Sequence, residues 1–307
     1  MAPANKIAEL FNVDGLVAVI TGGGSGLGLY AARALDANGA KAVYIVGRRE
    51  QTLQDAAKTG VNGTIIPVVG DVTDKESLRS VAERVRKEQG YVNLLFANAG
   101  VSGGDHTSLV TKEDGSPRSI QEVQENFFNI DVESFSKALH INNTAVFYTA
   151  VAFLDLLDAG NKKRNVPQDS QILVTGSVAG VSRHMASSFS YSTSKAAVHH
   201  MVKMLSTFLS VSGFHIRANL IAPGLYPSEM TARGTSKMAK FEGVPGYDGV
   251  FEGAYTMAKD RSPAERTGSE EDFAGTILFV ASKAGAYLNG EILLTDGGRI
   301  SQLPATY

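Results

Sequence analysis

Short apolar, β-branched runs alternate along this chain with longer amphipathic stretches, and that alternation constrains the fold more than any other feature. A run without polar alternation, such as Leu16-Val-Ala-Val-Ile-Thr21, suits a strand buried on both faces, the situation of parallel strands joined by crossover helices. We read strands at about 16–21, 41–46, 64–69, 92–97, 170–175, 215–221 and 291–295. Helices fall between them, at about 26–38, 50–58, 74–90, 131–159, 191–212 and 269–282. The expectation is an α/β fold, a single doubly wound domain over 1–307 with a seven-stranded, mostly parallel sheet, helices on both faces and right-handed crossovers.

Two segments break the rhythm. Residues 102–130 form a long polar connection with Gly103-Gly104, Asp114-Gly115 and Ser116-Pro117, and residues 225–262 mix Met, Phe, Tyr and Gly with charges. Loops of this length in a compact domain are usually lids or insertions. The 102–130 stretch reads as a surface excursion or a second lid.

With 29 basic against 31 acidic residues, the chain offers no electrostatic reason to bind nucleic acid or an anionic membrane. It has no cysteine, so disulfides and thiolate metal sites are excluded. No His/Asp/Glu cluster has metal-ligand spacing, so no metal is expected. No apolar stretch is long enough to span a bilayer, and Met1 to Leu10 lacks the apolar core of a secretory signal, which makes the cytosol the expected location.

The first apolar run leads into Gly22-Gly-Gly-Ser25-Gly26-Leu27-Gly28 and then into a helical pattern from Leu29. Glycines at such a junction permit a tight turn and let a pyrophosphate approach the backbone N–H groups of a helix start. The spacing Gly-x3-Gly-x-Gly, on Gly22, Gly26 and Gly28, differs from the Gly-x-Gly-x-x-Gly dinucleotide fingerprint. The second strand ends Val46-Gly47-Arg48-Arg49, where NAD sites carry an acid against the ribose hydroxyls. A guanidinium instead accepts a 2′-phosphate bidentately. NADP(H) is therefore expected, with Arg48 the first choice of anchor and Arg49 the second.

Tyr191-Ser-Thr-Ser-Lys195 places a phenol and an ammonium four residues apart, on one face if the segment is helical. A free phenol titrates near ~10. A cation roughly 4 Å away at an effective dielectric of about 20 is worth about 4 kcal/mol, roughly three pKa units, enough to bring that phenol near ~7. A general acid works best there. Ser177 stands fourteen residues upstream in Thr175-Gly-Ser177, which is also good turn composition. His184, in the connection between Ser177 and Tyr191, reads as a solvent-facing loop histidine rather than a second acid.

Taken in order and at these intervals, the glycine turn at 21–28, Asn98-Ala99-Gly100, Asn142, Ser177, Tyr191 with Lys195, and Pro223-Gly224 make the chain resemble the classical short-chain dehydrogenase/reductase family over roughly residues 14–298. The resemblance implies a Rossmann-type fold and hydride transfer between NADP(H) and a ketone or secondary alcohol. It gives Ser177 the carbonyl oxygen, Tyr191 the proton, Lys195 the tuning of the phenol and contact with the nicotinamide ribose, and Asn142 a water on the proton path to Lys195. Asn143 is an alternative on spacing alone, and Ala145 stands where the family often has glycine.

The resemblance also implies cofactor contacts at Thr21, Gly22, Ser25, Gly26, Leu27 and Gly28. Further contacts fall at Asp71-Val72 beside the adenine, at Asn98, Ala99 and Gly100 near the ribose, and at Pro223, Gly224 and Ser228, where Ser228 replaces the usual threonine. Asp71 reads also as a helix cap before 74–90.

Around Pro223 the sequence Ala-Pro-Gly-Leu-Tyr-Pro-Ser-Glu-Met230 looks like that of reductases acting on acyl or polyketide-like ketones. By the same resemblance 225–262 covers the substrate. Tyr226, Met230, Phe241, Tyr247 and Phe251 would form an apolar lid or, equally, a satellite core. The expected partners are a largely apolar ketone or its alcohol and, through helices at 131–159 and 191–212, further copies in a homodimer or homotetramer. Two other readings stand beside this one: a non-catalytic NADP(H)-binding protein, and an NADP-assisted isomerase or cyclase on a natural product.

Overall fold

The computed structural model of the chain describes residues 5–185 and 187–306. A short helix α1 (Ile7–Leu10) precedes β1 (Val17–Thr21), α2 (Gly26–Ala37), β2 (Ala42–Gly47), α3 (Glu50–Ala57), β3 (Ile65–Val69), α4 (Lys75–Glu88) and β4 (Leu94–Ala97). After the long connection come α5 (Ile120–Phe128), α6 (Val132–Leu139), α7 (Ala145–Ala152), α8 (Leu154–Lys163), β5 (Gln171–Thr175) and α9 (Phe189–Val211). The chain closes with β6 (Arg217–Pro223), α10 (Ala232–Thr235), α11 (Glu270–Ala281) and β7 (Ile292–Thr295).

The seven strands form one sheet in the order β3-β2-β1-β4-β5-β6-β7. Every neighbouring pair is parallel, in line with the seven-stranded, mostly parallel sheet expected. Alternate residues serve opposite faces: Val17 and Val19 of β1 join a core with α4, α7 and α9, whereas Ala18 and Ile20 join a core with α2, α3 and α11. Burial on both sides explains why the strands read as unbroken apolar runs. α4 shows the matching helical logic. Asp74 caps it by accepting from Glu76 N at 3.0 Å, and Leu78, Val81, Ala82 and Val85 supply the buried stripe. The order reverses between β1 and β4, so the carboxyl ends of the strands open a crevice there.

The expected helix over 131–159 is broken. Asp131 caps α6 through Ser134 N, a π-turn over His140–Thr144 joins it to α7, and the fully buried Phe153, at φ −114°, separates α7 from α8. The connection at 102–130 is more ordered than its polarity suggested. It contains a single 3-10 turn, Thr107–Leu109, and α5, which starts with a reciprocal capping box between Ser119 and Glu122. Helix α9 starts at Phe189, two residues ahead of the expected boundary, because Ser188 caps it by accepting from Tyr191 N at 3.1 Å. Among the described residues no helix is long and apolar enough to cross a membrane.

Candidate active site

At the switch point β1 runs into its glycine turn. Gly22 and Gly26 adopt φ of +65° and +53°, a region that L side chains rarely enter. Gly28 is required by space: a Cβ there would lie 2.4 Å from the Gly22 carbonyl oxygen and 2.6 Å from Asn98 Nδ2. Ser25 makes no side-chain cap on α2, so no capping side chain occupies the first N–H groups of that helix, whose opening residues Gly26 and Leu27 line the crevice with Ser25. This glycine cradle before an uncapped helix start fits a dinucleotide pyrophosphate.

Asn98, at the end of β4, ties three strands together. Its Nδ2 donates to the carbonyl oxygens of Thr21 and Gly22 at 3.1 and 3.2 Å, and its Oδ1 accepts from Thr175 Oγ1 at 2.9 Å. Thr21 Oγ1 in turn accepts from the N–H groups of Asn98 and Ala99 at 3.1 and 3.2 Å.

One cleft is lined by most of the residues singled out from the sequence. The glycine turn at Gly22, Ser25, Gly26 and Leu27 meets Arg48, Arg49, Asp71 and Val72 on one side. Asn98, Ala99 and Gly100 meet Ser177, Tyr191 and Lys195 on the other, with Pro223, Gly224 and Ser228 closing the end. Thr21, Gly28 and Asn142 do not line it but brace it from behind. Asn142 sits in the π-turn, where its carboxamide accepts from Val101 N and donates to Val101 O, both at 2.9 Å, and also donates to Ser194 Oγ at 3.0 Å. The amide is thus committed to holding the segment after Gly100. Neighbouring Asn143 has a buried Oδ1 without a partner and does not line the cleft.

The two arginines differ. Arg49 pairs with Glu229 across the cleft at 2.7 Å; Arg48 makes no ion pair among the described residues and lies near enough to Asp71 to help lower its pKa. Asp71 is not the helix cap, a role taken by Asp74. Its Oδ1 closes a turn by accepting from the N–H and hydroxyl of Thr73 at 2.9 and 2.7 Å, and these bonds hold the carboxyl below its ordinary range.

The reactive group of residues departs from expectation in its electrostatics. Lys195 is buried, and its Nζ donates to the Thr175 carbonyl oxygen at 2.8 Å while lying 5.8 Å from the centre of the Tyr191 ring. Burial pushes the ammonium down to about 8. Burial likewise pushes the Tyr191 phenol up, opposed by a hydrogen bond from Ser177. Burial outweighs the Ser177 bond, so the phenol lies above its ordinary value, opposite in direction to the fall that the Tyr191–Lys195 spacing suggested. Ser177 Oγ accepts from Ala179 N at 3.1 Å and is hydrogen-bonded to the Tyr191 hydroxyl.

Several residues of the neighbourhood carried no sequence signal. His106, in the 102–130 connection, accepts at Nδ1 from Phe189 N at 3.2 Å, and its backbone N–H donates to Ser187 O at 2.8 Å. Its ring packs against Phe127 and Phe135, and burial lowers its pKa. Ser188 and Ser190 donate to the carbonyls of Ser102 and Gly103 at 3.2 and 3.1 Å. The connection is therefore bolted to the first turn of α9. His184 is exposed, as its loop position implied.

The aromatic lid is only partly assembled. Tyr226, buried against Phe273, lines the cleft together with Met230, whereas the Phe251 ring carries the Arg266 guanidinium at 3.6 Å. Thr231, which the sequence did not flag, lines it too and bonds Ser228, the residue in the usual threonine's place, at 3.1 Å between hydroxyls.

A family model described as short chain dehydrogenase matches residues 16–239. The short-chain dehydrogenase/reductase PhomF of Diaporthe leptostromiformis is 43% identical over 100% of this chain and 99% of its own. The rhamnolipids biosynthesis 3-oxoacyl-(acyl-carrier-protein) reductase of Pseudomonas aeruginosa is 28% identical over 94% and 97% of the two chains. Among solved structures, the Pseudomonas aeruginosa RhlG/NADP active-site complex superposes with a TM-score of 0.72 at 27% identity, covering 94% of this chain and 98% of that one.

Proposed function

Since the chain belongs to the short-chain dehydrogenase/reductase family, we propose that it reduces a ketone to a secondary alcohol with NADPH, using Tyr191 as the acid. The observation that carries this reading is convergence. Ser177, Tyr191 and Lys195 line the same cleft as the glycine turn and Arg48.

A nicotinamide dinucleotide held along the glycine turn and Arg48 would supply the hydride for the carbonyl carbon, and the chain's own residues handle the oxygen. Ser177, with its lone pair engaged by Ala179 N–H, donates its proton toward that oxygen and orients it. As negative charge builds there, Tyr191 releases its proton and the alcohol forms. Lys195, lowered to about 8, is suited to returning a proton to the phenol near neutral pH. A raised phenol pKa keeps Tyr191 protonated at neutrality, the form that reduction consumes and that alcohol oxidation would have to remove. Asn142 acts indirectly, by fixing Val101 beside the cofactor groove.

NADP(H) is preferred on this reading because β2 ends at Gly47 and is followed directly by Arg48 and Arg49, with no acid at the end of the strand. The NADP complex of the RhlG neighbour supports the same choice. Substrate class follows the rhamnolipids reductase, whose name specifies a 3-oxoacyl group, and points to an acyl or polyketide-like ketone held under 225–262, from which Met230 reaches the cleft. Exposed apolar side chains on α7 (Phe147, Val151) and α9 (Met204, Phe208, Val211) suit a homodimer or homotetramer.

NADPH oxidation against a panel of ketones and 3-oxoacyl thioesters, with NADH in parallel, tests the reading. Ketone-dependent oxidation that prefers NADPH is the expected result. NADPH binding without turnover across the panel would refute it in favour of a binding protein, and rearranged product without net consumption would refute it in favour of an isomerase.

A further inference from the structure

Helix α9 presents Tyr191, Lys195 and His199 at intervals of four residues, and the last of these takes no part in the chemistry above. His199 is buried, with 5% of its surface accessible, immediately behind the turn Thr175-Gly176-Ser177 that carries the serine. Three successive backbone groups of that turn are held. The Thr175 carbonyl accepts from Lys195 Nζ at 2.8 Å, Gly176 N donates to Ile221 O at 2.7 Å, and Ser177 N donates to His199 Nε2 at 3.4 Å.

The imidazole is wedged in place. A methyl group on Gly176 would lie 2.5 Å from its Nε2, and one on Gly180 2.8 Å from its Cε1. Because Nε2 accepts, the proton of the neutral ring resides on Nδ1, which is buried without a partner. An aliphatic side chain would fill this space without that unpaired group, so the feature an imidazole adds here is the acceptor at Nε2.

We propose that His199 is a positioning residue for the reaction: by holding the Ser177 N–H it fixes the peptide from which the Ser177 hydroxyl is aimed at the substrate oxygen. Lys195 and His199 then act as a matched donor and acceptor, one at each end of the same turn. The proposal rests on the reading of Ser177 as the group that meets that oxygen.

The test compares His199→Leu, which removes the acceptor and keeps bulk, with His199→Gln, whose side-chain carbonyl restores one. Two readouts are taken on the full chain: hydrogen exchange of the Ser177 amide, and steady-state ketone reduction. His199→Leu is expected to speed exchange at Ser177 and to lower kcat, each by about tenfold, with the KM for NADPH within about twofold of wild type. His199→Gln should recover most of both. Unchanged Ser177 exchange in His199→Leu would overturn the proposal, as would a His199→Gln variant impaired as severely. If His199→Leu does not fold, His199→Met serves the same comparison with a flexible filler. A wild-type chain that reduces no ketone would defeat the functional reading instead, and amide exchange would still decide what holds Ser177.

Discussion

Lys195 Nζ is bound to the carbonyl oxygen of Thr175, at 2.8 Å, and through it to the end of β5, the strand that leads to Ser177. A buried ammonium with one strong acceptor is expensive to fold around. Its ordinary pKa of 10.5 falls to about 8. Below pH 8 both folded and unfolded chains hold the proton and the full cost is present; between 8 and 10.5 only the unfolded chain holds it, so stability from this group rises with pH across that window. Lys195→Met should therefore stabilise the chain at pH 7 by up to about 3 kcal/mol in denaturant titrations, and the gap should narrow toward alkaline pH. A less stable variant at pH 7 would contradict the buried charge.

Tyr191→Phe keeps the ring in place and removes the acid. Ketone reduction should fall by about 10²–10⁴-fold, while NADPH titrated by fluorescence binds as before. Because burial raises the phenol, reduction by the wild type should decline, and alcohol oxidation should increase, as pH rises into the alkaline range.

Cofactor preference should follow the end of β2. A side chain at Gly47 would make ordinary contact with Leu53 at 3.4 Å, so the backbone has room for an acid there. Gly47→Asp combined with Arg48→Ala should shift the kcat/KM ratio of NADPH to NADH toward NADH by about tenfold or more. Unchanged selectivity would remove Arg48 from the 2′-phosphate site.

Acid should loosen the chain partly through His199. Burial, aided by the nearby charges of Lys195 and Lys203, lowers its pKa from 6.5 to about 4. Between those values the unfolded chain binds the proton and the folded chain does not, so this contribution to stability is intact above pH 6.5 and is lost as pH falls toward 4. His199→Gln should lose less stability than wild type over that interval, by on the order of 3 kcal/mol, as measured by urea unfolding at several pH values.

Local chemistry made much of this protein readable. Seven apolar runs became seven strands, the inner five buried on both faces and the edge strands β3 and β7 partly so, and the glycine turn and the Tyr191–Lys195 spacing depend only on near neighbours in sequence. What escaped depends on groups brought together from afar. The break at Phe153 and the π-turn at His140–Thr144 lie within a continuous helical pattern. The rise of the Tyr191 phenol reflects burial, which spacing does not encode. His199 lay one step beyond Lys195 on the periodicity that had already joined Tyr191 to Lys195, but its partner, the Ser177 N–H, belongs to another element.

The anchoring of 102–130 on Ser188, Phe189 and Ser190 makes the tyrosine's helix dependent on a segment more than eighty residues earlier in the chain. The two cannot be exchanged independently. A graft that replaces this connection with a shorter one, however well it bridges the strand and helix at its ends, strips the N-terminal turn of its tethers and leaves Tyr191 on a fraying end.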